Sequence, residues 1–208
     1  MRLRGLGRST AAVAASLVAL GSAQLPAGAT TVTEHQYGFS FSLPAGWSQV
    51  PLNSAMVGEF LRDAAKKAPS LAKALDSEVE QATKEHLKVL AIGPVSGGFF
   101  PNLNVSIETS PTSLTGPALL TLMKAEVKEL LAGLGVKQTV VSTPALPLGS
   151  AVQASYAVPV ESAGLKLVQG IQIYVVHGAR LYVVTFTATT LTADQQSAHA
   201  VEATWHWT

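Results

Sequence analysis

Three polar side chains near the end of the chain, His199, Glu202 and His206, stand at i, i+3 and i+7. Carried on one helix they would share a face opposite Val201 and Trp205, and two imidazoles with a carboxylate suit zinc. An exposed polar face on a terminal helix explains the same residues without a ligand, above all if the helix ends before His206. No metal is expected. His177 and Arg180 flank Gly178-Ala179, where a hairpin turn suffices to make them neighbours; these two, or Glu126, are the groups from which a titratable cluster in a cleft would have to be built. Asp76, Glu78, Glu80 and Glu85 fall along one helical stretch and read as its solvated side, because acid–base work needs an apolar pocket to move a carboxylate pKa. Nucleophile chemistry fails on spacing. The run Gly38-Phe39-Ser40-Phe41-Ser42 lacks the second glycine of a nucleophile elbow, and the five histidines form no H-E-x-x-H. The chain has no cysteine, which removes thiol catalysis, zinc–thiolate sites and disulfides together. We therefore expect no catalytic residue, no cofactor and no enzymatic activity.

One loop stands out for recognition. Between Gly93 and Asn102 glycines and prolines surround the adjacent Phe99 and Phe100. No helix follows these glycines, so they make no phosphate cradle. If both phenylalanines pack inward the loop is a stiff crossover; if either is exposed it offers an apolar contact. Phe99 and Phe100 are accordingly the candidate partner-binding residues.

The elements that would position such groups begin after residue 29. Arg2, Arg4 and Arg8 precede an uncharged apolar run from Ala11 to Leu20, and small residues at Ala27-Gly28-Ala29, or earlier at Gly21-Ser22-Ala23, offer cleavage positions. The run is short for a bilayer span, which favours a removed signal peptide at 1–29 over an anchor. Leu20-Gly21-Ser22-Ala23 is shaped like the start of a lipobox but lacks the cysteine to be acylated, and Arg2 and Arg4 are not adjacent as a twin-arginine signal needs. Without residues 1–29, Lys+Arg falls from 14 to 11 against 13 Asp+Glu, a net charge of −2. No basic cluster exceeds Lys66-Lys67, so no nucleic-acid partner is expected. Residues 30–208 suit one domain, expected to be monomeric and secreted or associated with the cell envelope, with no stable membrane anchor.

Period-two alternation marks strands at Tyr37–Leu43, Leu87–Ile92, Asn102–Glu108, Lys137–Ser142, Leu146–Leu148 and Gln153–Val160. Trp47, just after the Pro44–Gly46 turn, is expected to plug the end of the core. Helical periodicity spans Ser54–Glu85, interrupted at Pro69, and Thr115–Gly133, where Leu119, Leu122, Met123, Val127, Leu130, Leu131 and Leu134 form the apolar side. Thr192 and Gln195 read as a capping box for a last helix on which Ala198, Val201 and Trp205 share a face. The best-defined stretch is Leu165–Ala188. Gly first in the two-residue loop Gly178-Ala179 suits a II′ hairpin, and pairing His177 with Arg180 sets Ile171 against Phe186, Ile173 against Val184 and Val175 against Tyr182. The other face pairs Gln172 with Thr185, Tyr174 with Val183 and Val176 with Leu181, so the hairpin should be covered on both sides. The sequon Asn104-Val105-Ser106 falls in a strand and reads as chance.

The pieces Phe39-Ser-Phe-Ser-Leu-Pro-Ala-Gly-Trp47, Asn102-Leu-Asn-Val-Ser-Ile107, the helix after Pro117, the hairpin Tyr174-Val-Val-His-Gly-Ala-Arg-Leu-Tyr-Val-Val184 and the closing helix, in this order, resemble the PsbP/Mog-like superfamily. They are similar in particular to its exported actinobacterial, LpqN-like branch. The resemblance implies an α+β fold, an α/β/α sandwich with helices on both faces of a largely antiparallel central sheet. Members of that superfamily, a photosystem II extrinsic subunit, a Ran-GTPase-binding factor and cell-envelope proteins, share binding to a partner without catalysis. No functional residue of theirs maps onto a position here, and the lipidated cysteine of the LpqN-type lipoproteins is missing. The expectation is a secreted, non-enzymatic binding or accessory module acting on a protein or cell-envelope component through a sheet edge or the Phe99-Phe100 loop. The alternative is a carrier holding a small apolar ligand between sheet and helices.

Overall fold

The computed structural model describes residues 30–50, 52, 87–94, 101–110, 116–133, 137–159 and 167–208. The signal-type segment 1–29, the helical stretch 54–85 with its four carboxylates, Phe99 and Phe100 lie outside the described residues. In chain order the strands are β1 (Thr31–Glu34), β2 (Phe39–Ser42), β3 (Ser48–Gln49), β4 (Leu87–Ile92), β5 (Asn102–Thr109), β6 (Lys137–Ser142), β7 (Ala145–Leu146), β8 (Gly149–Pro159), β9 (Leu167–His177), β10 (Arg180–Ala188) and β11 (His206–Trp207). The helices are α1 (Gly116–Gly133) and α2 (Leu191–Ala203).

The main sheet runs β3-β4-β5-β10-β9-β8-β6, with β7 paired to β8, and a smaller sheet runs β1-β2-β11. Every described pairing is antiparallel. The β9–β10 hairpin has the register its sequence predicts, from His177 opposite Arg180 to Ile171 opposite Phe186. Gly178 at its tip has φ +60°, which an L side chain adopts only at a cost.

Alternation in β9 and β10 divides their side chains between two buried clusters. Ile171, Ile173, Val175, Tyr182, Val184 and Phe186 join Val32, Phe39 and Phe41 of the small sheet, Ala198 and Val201 of α2, and Trp205. Tyr174, Leu181 and Val183 join Val152, Ala154 and Tyr156 of β8 and the i, i+4, i+8, i+12 stripe Leu119, Met123, Val127, Leu131 of α1. Both sides of the hairpin are thus buried, one wholly against apolar side chains and the other against apolar side chains beside a polar row, and hydrophobic burial acts through both.

Of the boundaries that differ from expectation, three bear on how the two sheets meet. Residues 31–34 form β1, which pairs with β2 from Thr31 opposite Ser42 to Glu34 opposite Phe39, whereas the alternation in the sequence marks a first strand only from Tyr37. α2 already contains Leu191, which puts Thr192 inside the helix and not at its cap, and it ends at Ala203. The chain then returns as β11 along β2, His206 opposite Ser40 and Trp207 opposite Phe39, because β2 offers an unpaired edge there. Thr204 Oγ1 accepts the Ser42 N–H at 3.0 Å and fastens that corner. Trp47 is buried at the end of the first cluster as expected.

The alternation in β5 misleads in one respect. Asn102, Asn104 and Ser106 occupy the positions that read as solvent-facing, yet all three are buried, as are their neighbours Thr187, Thr185 and Gln172. Burial of Asn104 closes the sequon to glycosylation. Within this polar row Gln172 Nε2 donates to Thr185 Oγ1 at 3.3 Å and Tyr174 Oη donates to Gln172 Oε1 at 2.7 Å. Burial, with the charge of Glu108 second, pushes the Tyr174 phenol above its ordinary value of 10, so it remains a donor.

Candidate functional site

The tip of the β9–β10 hairpin and the turn at 35–38 enclose an open cleft of about 240 Å³, lined by Tyr37, Gly38, His177, Gly178, Ala179, Arg180, Tyr182 and Thr208. Register alone places His177 and Arg180 directly across from one another, so their side chains project to one face of the sheet, the face that carries Val175 and Tyr182. Hydrogen bonds tie the two walls together. Tyr182 Oη donates to the Tyr37 carbonyl at 2.8 Å, and Arg180 Nη1 donates to the Gln36 carbonyl at 3.1 Å. The Thr208 N–H donates to the Gly38 carbonyl at 3.0 Å and closes the third side.

Aromatic rings set the orientations. The His177 imidazole lies on the Trp207 indole with centroids 4.0 Å apart and planes within 4°. Trp207 is itself held by its Nε1 donating to the Leu148 carbonyl at 3.0 Å and by an edge contact with Tyr182 at 5.0 Å. The Arg180 guanidinium sits 5.4 Å from the Tyr37 ring centroid and Lys88 Nζ 5.2 Å from it, both within cation–π range. Near them the Glu34 carboxyl is held above its ordinary value by burial, an effect the charges of Lys88 and His35 oppose. The cleft thus combines aromatic walls with a fixed guanidinium and a fixed imidazole.

Of the residues singled out for chemistry, the structure brings His177 and Arg180 together here and adds Tyr37, Tyr182 and Trp207. Glu126 is half-buried on α1, whose apolar side packs into the other cluster. Tyr37 and Tyr182 read in the sequence only as strand aromatics, and the only signal for Trp207 was the aromatic run Trp205-His206-Trp207.

The zinc constellation does not assemble. His206 lies in β11, beyond the end of α2, and no metal-ligand group of three forms among the described residues. What remains is His199 Nδ1 at 3.4 Å from Glu202 Oε2, the imidazole exposed and the carboxylate buried. Burial raises the Glu202 carboxyl above 4.5, opposed by the charge of His199 and its hydrogen bond. The folded chain therefore holds this proton more tightly than the unfolded chain. Below the ordinary carboxyl value the group costs nothing; above it the unfolded chain deprotonates first and the fold loses stability until the raised value is passed. Urea titrations of Glu202→Gln should show the variant gaining on the parent as pH rises through and above the ordinary carboxyl value. A difference that stays constant over that range would refute the assignment.

Among the described residues no helix is long and apolar enough to cross a membrane. No protein-family model matches the chain, and no curated protein sequence matches it. Solved structures do resemble it. Cyanobacterial PsbP (CyanoP) from Synechocystis sp. PCC 6803 is 13% identical over 88% of this chain and 94% of its own, with a TM-score of 0.48. LpqN of Mycobacterium tuberculosis, described as involved in cell envelope biogenesis, is 12% identical over 87% of this chain and 91% of its own, TM-score 0.48. A protein from Bacteroides thetaiotaomicron VPI-5482 is 10% identical over 89% of this chain but 49% of its own, TM-score 0.43. At these identities and scores the likenesses transfer no site, ligand or activity.

Proposed function

We propose that the chain is an exported, non-enzymatic binding module that engages an exposed group of a protein or cell-envelope component in the hairpin-tip cleft. The observation that carries this reading is the cleft itself: about 240 Å³, open, and walled by side chains whose positions are fixed by hydrogen bonds and ring stacking. Such preorganisation lowers the ordering cost of binding. The volume lies below the roughly 300–1,000 Å³ of sites that enclose a whole small molecule, which favours one group of a larger partner over a carried ligand. Export rests on the signal-type arrangement of Arg2, Arg4, Arg8 and the apolar run Ala11–Leu20. The two buried clusters on alternate faces of β9 and β10 support the α/β/α layering, with α1 on one side and α2 on the other. That layering leaves the hairpin tip as a rigid rim.

Ala179 offers a test that alters shape without altering charge. Labelled full chain should co-sediment saturably with the envelope fraction of the producing cells, and Ala179→Trp should abolish this at unchanged melting temperature. Ala132→Trp, at an exposed position of α1, should leave it intact. Equal sedimentation of both variants and the parent, or none by the parent, would sink the proposal.

A further inference from the structure

We infer that the hairpin-tip cleft recognises an oxyanion, a carboxylate or phosphate group on its partner, through Arg180 and His177; this deepens the binding reading above and rests on it. Arg180 is an exposed planar fork of donors, and its hydrogen bond from Nη1 to the Gln36 carbonyl fixes its plane without consuming the fork. Tyr37 supports the guanidinium at 5.4 Å. A guanidinium so held meets an oxyanion in two parallel N–H···O bonds and loses little freedom in doing so. Across the turn, stacking on Trp207 engages the face of the His177 ring, leaving the nitrogens at its edge where hydrogen bonds form.

Charge points the same way. Arg180 and His177 are direct cross-strand partners, so a group entering the cleft between them meets the guanidinium on one side and the imidazole edge on the other. Neither Arg180 nor His177 makes an ion pair with another described residue. Lys88, over the same Tyr37 ring at 5.2 Å, adds positive potential, offset in part by Glu34. The remaining walls are Tyr182, Gly38, Gly178, Ala179 and Thr208; none of these side chains is a carboxylate, and the main-chain carboxyl of Thr208 is the one anionic group among them. The Arg180 guanidinium and the His177 edge together fit the negatively charged end of a larger molecule.

Amide NMR titration of the full chain with inorganic phosphate, and separately with acetate, at constant ionic strength provides the test. Saturable shifts confined to Gly178, Ala179, Arg180 and Gly38 are expected, and whichever ion binds more tightly identifies the class of group. Arg180→Gln should weaken binding by at least about tenfold, as loss of a charge-assisted hydrogen bond requires, with Arg180→Lys between the two. Should Arg180→Gln fail to fold, His177→Asn tests the same cleft and should also weaken binding. Absence of saturable shifts with both ions, or unchanged affinity in the variants, overturns the inference. If Ala179→Trp abolishes co-sedimentation while neither ion binds, the binding reading survives and the oxyanion falls.

Discussion

Trp205→Ala should lower stability by about 3–5 kcal/mol, the usual cost of emptying a large aromatic site that cannot collapse. The indole stacks on Phe39 at 4.8 Å and on Phe41 at 5.1 Å, both within 10° of parallel, and meets Trp207 edge-on at 5.4 Å. It is 4% exposed and stands where α2 ends and β11 begins, so one side chain joins helix, small sheet and main sheet. Its N–H finds no hydrogen-bond partner among the described residues, which makes the loss one of packing. Trp205→Phe should therefore recover most of the stability, because a smaller ring can keep the parallel stack. Urea denaturation measures both; a cost under about 1 kcal/mol for the alanine variant would show that the layers hold without the indole.

Gly170→Ala should also destabilise, by about 1–3 kcal/mol, although alanine in a strand ordinarily gains about 0.5–1 kcal/mol over glycine. Gly170 is the cross-strand partner of Tyr156, and the Tyr156 ring lies flat across it. A Cβ added at Gly170 would fall 2.5 Å from Tyr156 Cζ and 2.7 Å from its Oη. Tyr156 is itself buried against Leu119, Met123 and their neighbours, so it cannot swing away freely. The sign should reverse when the ring is shortened: in a Tyr156→Leu background Gly170→Ala should be neutral or stabilising. A double-mutant cycle reads this coupling, and additive effects would refute the steric account.

Much of the fold is legible in the residues because it depends on local rules. The hairpin register follows from the two-residue loop and from Gly178, the one residue there that accepts its φ of +60°. The α1 stripe follows from its i, i+4 spacing. The failures share a different cause. Asn102, Asn104 and Ser106 alternate with apolar residues as a solvated face would, but what covers a sheet face is decided by elements far along the chain. The end of α2 is similarly invisible locally, since it is the open edge of β2, some 160 positions earlier, that draws His206 and Trp207 out of the helix.

The candidate site divides along the same line. From the residues alone come the adjacency of His177 and Arg180, the absence of thiol chemistry and a strand hairpin covered on both faces, because each is a matter of composition or of spacing within a few residues. Only the tertiary structure decided that the tip of this hairpin meets Tyr37, Gly38 and Trp207, which come from opposite ends of the described chain, and that their rings hold the guanidinium and imidazole in place. A cleft is made by surfaces that approach through space, and burial and stacking energies are summed over contacts that sequence distance does not encode.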